Sequence, residues 1–172
     1  LIAASHTHLL RNPPDLEGND FFCHDISGLN FVWIKTPYYK QAHSKKRILN
    51  WFYFSWKLKK LGKFIKDIPD VLIYSSPSLI GFLGANWLAK RFKSKLVFEV
   101  RDIWPLSIVE IGGYSEKHPF IRLLQSVEDK AYRESDLVFS NLKFSVKHMV
   151  SRGMDSRKFH WIPNGFSLSE VS

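Results

Sequence analysis

From Val71 to Ile162, short apolar runs alternate with longer stretches of helical period, and that alternation narrows the possible folds more than any other feature of the chain. Val71–Tyr74, Lys95–Val100, Leu137–Phe139 and Phe159–Ile162 have strand length and are rich in β-branched and aromatic residues. Between them, Leu79–Phe92, Pro119–Glu134 and Phe144–Arg152 carry helical spacing. Their ends are signalled locally. Ser75, Ser76, Pro77 and Ser78 offer N-cap chemistry before the first, and Lys90, Arg91 and Lys93 suit its last turn. Pro119 opens the second, Gly153 stops the third, and Pro163 ends the last strand. Strands of continuous apolar residues separated by helices predict an α/β fold, a mostly parallel sheet with helices on both faces.

The amino-terminal part reads less regularly. Leu1–Ala4 is a first strand, Arg11 to Asn30 a long loop with Pro13, Pro14, Gly18 and Gly28, and Phe31–Lys35 a second strand before Pro37. With 172 residues and 45% hydrophobic content, one domain over 1–172 is expected. No apolar run reaches the roughly 18 residues of a spanning helix. The single cysteine, Cys23, excludes an internal disulfide and a cysteine-based zinc cluster, and a reducing, cytoplasmic setting is expected.

The formal charge is +9, and eight of the 25 Lys and Arg residues fall between Lys45 and Lys66 with no acid among them. The rest of the chain holds 17 bases against 16 acids and is nearly neutral. Leu58, Leu61, Phe64 and Ile65 follow one helical face, and Lys59, Lys60, Lys63 and Lys66 lie largely off it, so the segment reads as an amphipathic helix. Lys57, Lys59, Lys60 and Lys63, with Trp51 and Trp56 at headgroup level, form a candidate anionic-membrane surface. A core helix with solvated lysines is the plainer alternative, and the two can occupy different faces.

In open parallel sheets ligands bind beyond the carboxyl ends of the strands. The residues there are Ser75 and Ser76, Arg101 and Asp102, Ser140 and Asn141, and Asn164 and Gly165. Asp102 can accept from a ligand hydroxyl or face a positive charge developing in a ligand, or it can cap the following turn. Glu99 and Arg101 share a strand face and are expected to pair, with a diphosphate contact by Arg101 as the alternative. Trp104 reads as a packing anchor or an aromatic face for a sugar or lipid, and Glu110 as a sugar ligand or a solvated carboxylate. Gly81 and Gly84 read as close helix packing, since no GxGxxG or P-loop spacing occurs. His6 and His8 lack a third ligand of recognisable spacing, so neither metal nor cofactor is expected.

Glu99-Val100-Arg101-Asp102-Ile103-Trp104-Pro105, then Glu110-Ile111-Gly112-Gly113, His118-Pro119-Phe120, Glu128 and Tyr132, and finally Ile162-Pro163-Asn164-Gly165, together resemble glycosyltransferase family 4, best in its bacterial surface-polysaccharide branch. The resemblance runs in order from about Leu1 to Ser172. It implies a GT-B architecture of two Rossmann-type domains, of which this chain is the amino-terminal, acceptor-binding half. It also implies an opening strand with a glycine-containing loop before Leu1. A donor-binding domain with a pair of carboxylates is implied after Asn164 and Gly165, which then form the hinge. The half alone is expected to be inactive.

The expected activity is therefore a retaining, hexosyltransferase-type glycosyl transfer from a nucleotide-sugar donor to a lipid-linked or saccharide acceptor, peripheral at the cytoplasmic face of a membrane. Asp102 takes the catalytic or orienting position. Arg101, Trp104, Glu110, Ser76 and Asn141 take acceptor contacts, and no nucleic acid is expected as a partner. Two alternatives compete with this reading. One is a metal-dependent nuclease using Pro69-Asp70 and Glu99-Val100-Arg101, weakened by Arg in place of the usual Lys. The other is a non-catalytic module that docks on anionic membranes.

Overall fold

The computed structural model describes residues 1–7, 10–39, 44–65 and 67–165. His8 and Lys66, and the side chain of Lys45, lie outside the described residues. The alternation from Val71 onward folds as expected. β4 (Val71–Ser75), β5 (Lys95–Val100), β6 (Leu137–Ser140) and β7 (Phe159–Trp161) form an all-parallel sheet in that order. Helices α2 (Leu79–Phe92), α4 (Pro119–Glu134) and α5 (Val146–Ser151) connect them, so each crossover is a strand–helix–strand unit. Alternate strand residues Leu96, Phe98, Val100 and Val138 are buried against Leu79, Phe82, Leu124, Tyr132 and Met149 of these helices. On the opposite face Val71 and Ile73 remain exposed, at 49% and 64%.

The amino-terminal part departs from the sequence reading. β1 (Ile2–Ala4) and β3 (Leu29–Ile34) are parallel, but the expected loop from Arg11 to Asn30 contains a further strand, β2 (Phe21–Ile26), antiparallel to β3. These make a second sheet, ordered β1-β3-β2, in place of the single sheet expected. The cause is local. Ser27 and Gly28 both have positive φ, 54° and 82°, the geometry of a tight hairpin, and Asp25 Oδ1 accepts a hydrogen bond from Gly28 N at 3.0 Å. The polar run Cys23-His24-Asp25 is tolerated because β2 is an exposed edge strand.

Helix α1 (Lys45–Leu61) joins the two parts, starting at Ser44, whose Oγ accepts from Lys46 N, and ending at Gly62. The helix stops before Phe64 and Ile65, so these fall in the following turn, and Phe64 packs on Phe21 instead of continuing the helical face. Leu58 and Leu61 meet Ile34 and Leu88 in a core that spans both sheets. Gly84 of α2 lies against the Ser55 carbonyl, and a Cβ there would stand 2.9 Å from Leu58 Cβ. Close helix packing is thus the role of Gly84. Gly81 instead sits against the Tyr74 hydroxyl. The long connection after β5 also contains a short helix, α3 (Leu106–Glu110), where the sequence predicted only loop.

Candidate functional site

The carboxyl ends of β4 and β5 are tied together by one serine. Buried Ser76 donates its N–H to Glu99 O at 2.9 Å, and its Oγ accepts from Arg101 N at 2.9 Å. This uses the hydroxyl that the sequence offered as a helix cap; Ser78 takes the cap position without a side-chain bond. Ser76 therefore positions the turn that follows β5.

That turn presents Asp102. Its Oδ2 accepts from Trp104 Nε1 at 2.8 Å and its Oδ1 from Ser107 Oγ at 2.7 Å. The Ser107 bond ties the turn to α3 and the Trp104 bond closes the turn on itself; both donors are side chains and α3 has no side-chain cap, so Asp102 does not take the capping role foreseen as the alternative. The carboxylate is nevertheless exposed. A carboxylate offers about four acceptor positions, so two donors leave it able to accept from a ligand hydroxyl. Arg101 extends into solvent, and no ion pair joins it to Glu99, contrary to expectation.

Trp104 is half-buried and belongs to an aromatic wall that the sequence did not assemble. Its ring meets Trp51 edge-on at 5.7 Å, and Trp51 stacks on Phe120 at 6.3 Å. The Arg47 guanidinium lies 5.1 Å from the Trp51 ring centre and 5.9 Å from that of Trp104. Trp51, predicted at a membrane, instead packs toward this wall. Arg47, read only as part of a basic run, joins it. The wall borders a cleft of ≈ 610 Å³ that includes His6, Thr7, Tyr39, Ser75 and Ser78 at its rim. His6 Nε2 is 2.8 Å from Tyr39 O, and among the described residues no group of three His, Cys, Asp or Glu could hold a metal.

Among the other predicted site residues, Asn141 comes just after Ser140, the register partner of Val100, and so stands level with Arg101. Asn141 follows β6; its carbonyl accepts from Trp161 Nε1 at 3.2 Å, while its buried Oδ1 has no protein partner. Glu110, at the end of α3, is exposed, and Asn164 and Gly165 are exposed after β7. Glu128 and Tyr132 serve the interior: Glu128 is 1% exposed and accepts from the Tyr132 hydroxyl at 2.7 Å, with His148 Nε2 at 3.3 Å. Burial, joined by the Glu128 charge, pushes the Tyr132 phenol well above its ordinary range.

One lysine of the expected basic face is buried. Lys57 is 2% exposed and ion-paired with Asp20, its ammonium surrounded by Phe21, Tyr53 and Trp56. It cannot touch a membrane. Lys59, Lys60, Lys63 and Trp56 are exposed, with Lys60 Nζ 3.8 Å above the Trp56 ring, and Leu49 and Phe52 are exposed on the same helix.

The nuclease alternative fails on geometry. Asp70 precedes the first residue of β4, whereas Glu99 stands in register with Ser75 at its end. Five strand residues separate the two levels, about 16 Å, too far to share one ion. The sequence matches the family model Glycosyltransferase Family 4 over residues 7–170. No curated protein matches the chain.

Proposed function

The chain belongs to glycosyltransferase family 4, and we propose that it is the acceptor-binding domain of a retaining enzyme that moves a hexose from a nucleotide sugar to a lipid-linked or saccharide acceptor in cell-surface polysaccharide synthesis. The observation that carries the reading is the end of β5. There a carboxylate held by two donors stands exposed beside an unpaired Arg101 and an aromatic wall. Asp102 accepts a hydrogen bond from the acceptor hydroxyl and orients its lone pair toward the donor carbon. Because Trp104 and Ser107 fix the carboxylate before substrate arrives, little reorganisation is left to the reacting complex. Arg101 suits the diphosphate of a lipid-linked acceptor, and the apolar cleft beside Trp51 suits its first isoprenoid or sugar units.

The outer face of α1 supports a position at an anionic membrane. Exposed Leu49, Phe52 and Trp56 lie on the same helix as Lys59 and Lys60, with Lys63 just beyond its end. That combination places apolar groups and cations together, as interfacial binding requires. A cytoplasmic, peripheral enzyme fits this arrangement.

The test is Asp102→Asn in the enzyme that carries its donor-binding domain. We expect turnover to fall at least about tenfold, about 1.4 kcal/mol of transition-state stabilisation, with the thermal midpoint unchanged. Ser107→Ala, which removes one orienting donor, should lower turnover less. Wild-type turnover in Asp102→Asn removes this residue from the site.

A further inference from the structure

Ser5 does at the end of β1 what Ser76 does at the end of β4. It is buried, its N–H donates to Ile34 O at 2.8 Å and its Oγ accepts from Thr36 N at 3.2 Å, so one residue ties the carboxyl ends of β1 and β3. That tie sets His6, the next residue, against the segment that follows Thr36. Asn50, buried in α1, donates from Nδ2 to Pro37 O at 2.9 Å and anchors the same segment from the helix.

His6 is thereby clamped. Its Nε2 lies 2.8 Å from Tyr39 O, and its ring meets Tyr39 edge-on at 5.1 Å and Tyr38 at a tilt at 4.5 Å. A carbonyl oxygen only accepts, so Nε2 carries the proton and the neutral ring keeps a lone pair on Nδ1. Among the described residues no donor meets that lone pair. His6 lines the mouth of the cleft with Arg47 and Ser75, and Tyr38 beside it is 63% exposed. Neither side chain has a task in the transfer scheme above.

We propose that His6 and Tyr38 form a sugar subsite for the acceptor, in which Nδ1 accepts from a hydroxyl of a pyranose ring whose C–H face lies on the Tyr38 ring. The two groups select the ligand between them. A lone pair repels a phosphate oxygen and gains nothing from a hydrocarbon chain, so neither a diphosphate nor an isoprenoid unit satisfies Nδ1. A pyranose carries hydroxyl donors along its edge and an apolar C–H face, and that combination uses the acceptor nitrogen and the aromatic ring together. Tyr39, through its carbonyl, fixes the tautomer and does not touch the sugar. The acceptor then arrives already glycosylated, as a saccharide or a sugar-bearing lipid, and an earlier glycosyl or sugar-phosphate transfer must supply it. This inference rests on the acceptor-binding reading and narrows it.

The test reads binding on the 172-residue chain without donor or turnover, so its failure can be told apart from failure of the Asp102→Asn test. Methyl glycosides of glucose, galactose, mannose and N-acetylglucosamine are added singly to about 100 mM, enough to detect millimolar dissociation constants, while the His6 ring nitrogens are followed by ¹⁵N NMR. At least one glycoside should move the Nδ1 resonance saturably, with Nε2, already bonded to Tyr39 O, moving less. Tyr38→Leu alters an exposed ring and should weaken that glycoside at least about tenfold with the thermal midpoint unchanged. His6→Phe removes the lone pair and should weaken it at least about tenfold, read from the Tyr38 ring resonances. Should His6→Phe fail to fold, Tyr38→Leu alone decides. The proposal is overturned if no glycoside moves Nδ1, or if either folded variant binds like the parent. It is equally overturned if inorganic phosphate moves Nδ1 where the glycosides do not, since the subsite would then be one for anions.

Discussion

At Lys57 a cation is held almost out of water, and the cost of that burial is met by specific neighbours. Burial alone would lower its pKa, but hydrogen bonds to Asp20 and Tyr53 and their charges outweigh it, so the ammonium titrates above its ordinary value. Asp20, hydrogen-bonded to Lys57, titrates below the usual carboxylate range although it is 53% exposed. The asymmetry in burial predicts an asymmetry in mutants. Asp20→Ala strands a buried charge and should cost about 3 kcal/mol, whereas Lys57→Met leaves a solvated carboxylate and should cost about 1 kcal/mol. Urea unfolding of the two variants compares them; equal losses would mean that desolvation of Lys57 is not the governing cost.

Between elements, two contacts hold the helices. Gly84 lets α2 approach the Ser55 carbonyl and Leu58 of α1, where no side chain fits. Gly84→Ala should therefore cost about 1–3 kcal/mol through overpacking, despite the better helix propensity of alanine, and lower the thermal midpoint. A rise in the midpoint would show that α1 can shift freely. The second contact is Glu134 at the end of α4, which accepts from Lys130 of its own helix and from Lys90 and Asn86 of α2. Led by the Lys130 and Lys90 bonds, these partners hold its pKa down to about 2. A depressed carboxylate stabilises the fold fully above its unfolded value of 4.5 and loses that contribution as pH falls toward about 2. Glu134→Gln should be less stable than the parent by about 1–2 kcal/mol at about pH 6, with the gap closing by about pH 2. A gap that stays constant with pH would assign the loss to packing.

Over the whole molecule, α1 turns one face to the core and the other to solvent. The inner faces of α1 and α2 join the sheets, and the outer face of α1 carries Trp56 beside Lys59 and Lys60. Each exposed lysine near an anionic leaflet contributes about 1 kcal/mol. Replacing Lys59, Lys60 and Lys63 together by Gln should weaken binding to vesicles containing anionic lipid on the order of a hundredfold, with little change on neutral vesicles. Sedimentation with vesicles measures this, and a triple variant that binds like the parent would end the electrostatic account.

Features governed by neighbours a few residues apart could be read directly along the chain. The parallel β4–β7 alternation, Pro119 at the start of α4 and the location of Ser76, Arg101 and Asp102 at strand ends were all legible from period and punctuation. Even the hairpin left a local trace, the Ser27-Gly28 pair, masked by the polar run before it. Long-range packing settled which cation in a run of lysines is buried, because Lys57 lies on the face that meets Asp20 from a distant loop. It also decided that Trp51 joins Arg47 and Trp104, that Asp102 is held by Trp104 and Ser107, and that β1 and β4 end on one shared cleft. Pattern along a chain sets which elements form. Burial and charge pairing depend on which elements meet, and that is settled only when the distant surfaces of the fold compete for the same contacts.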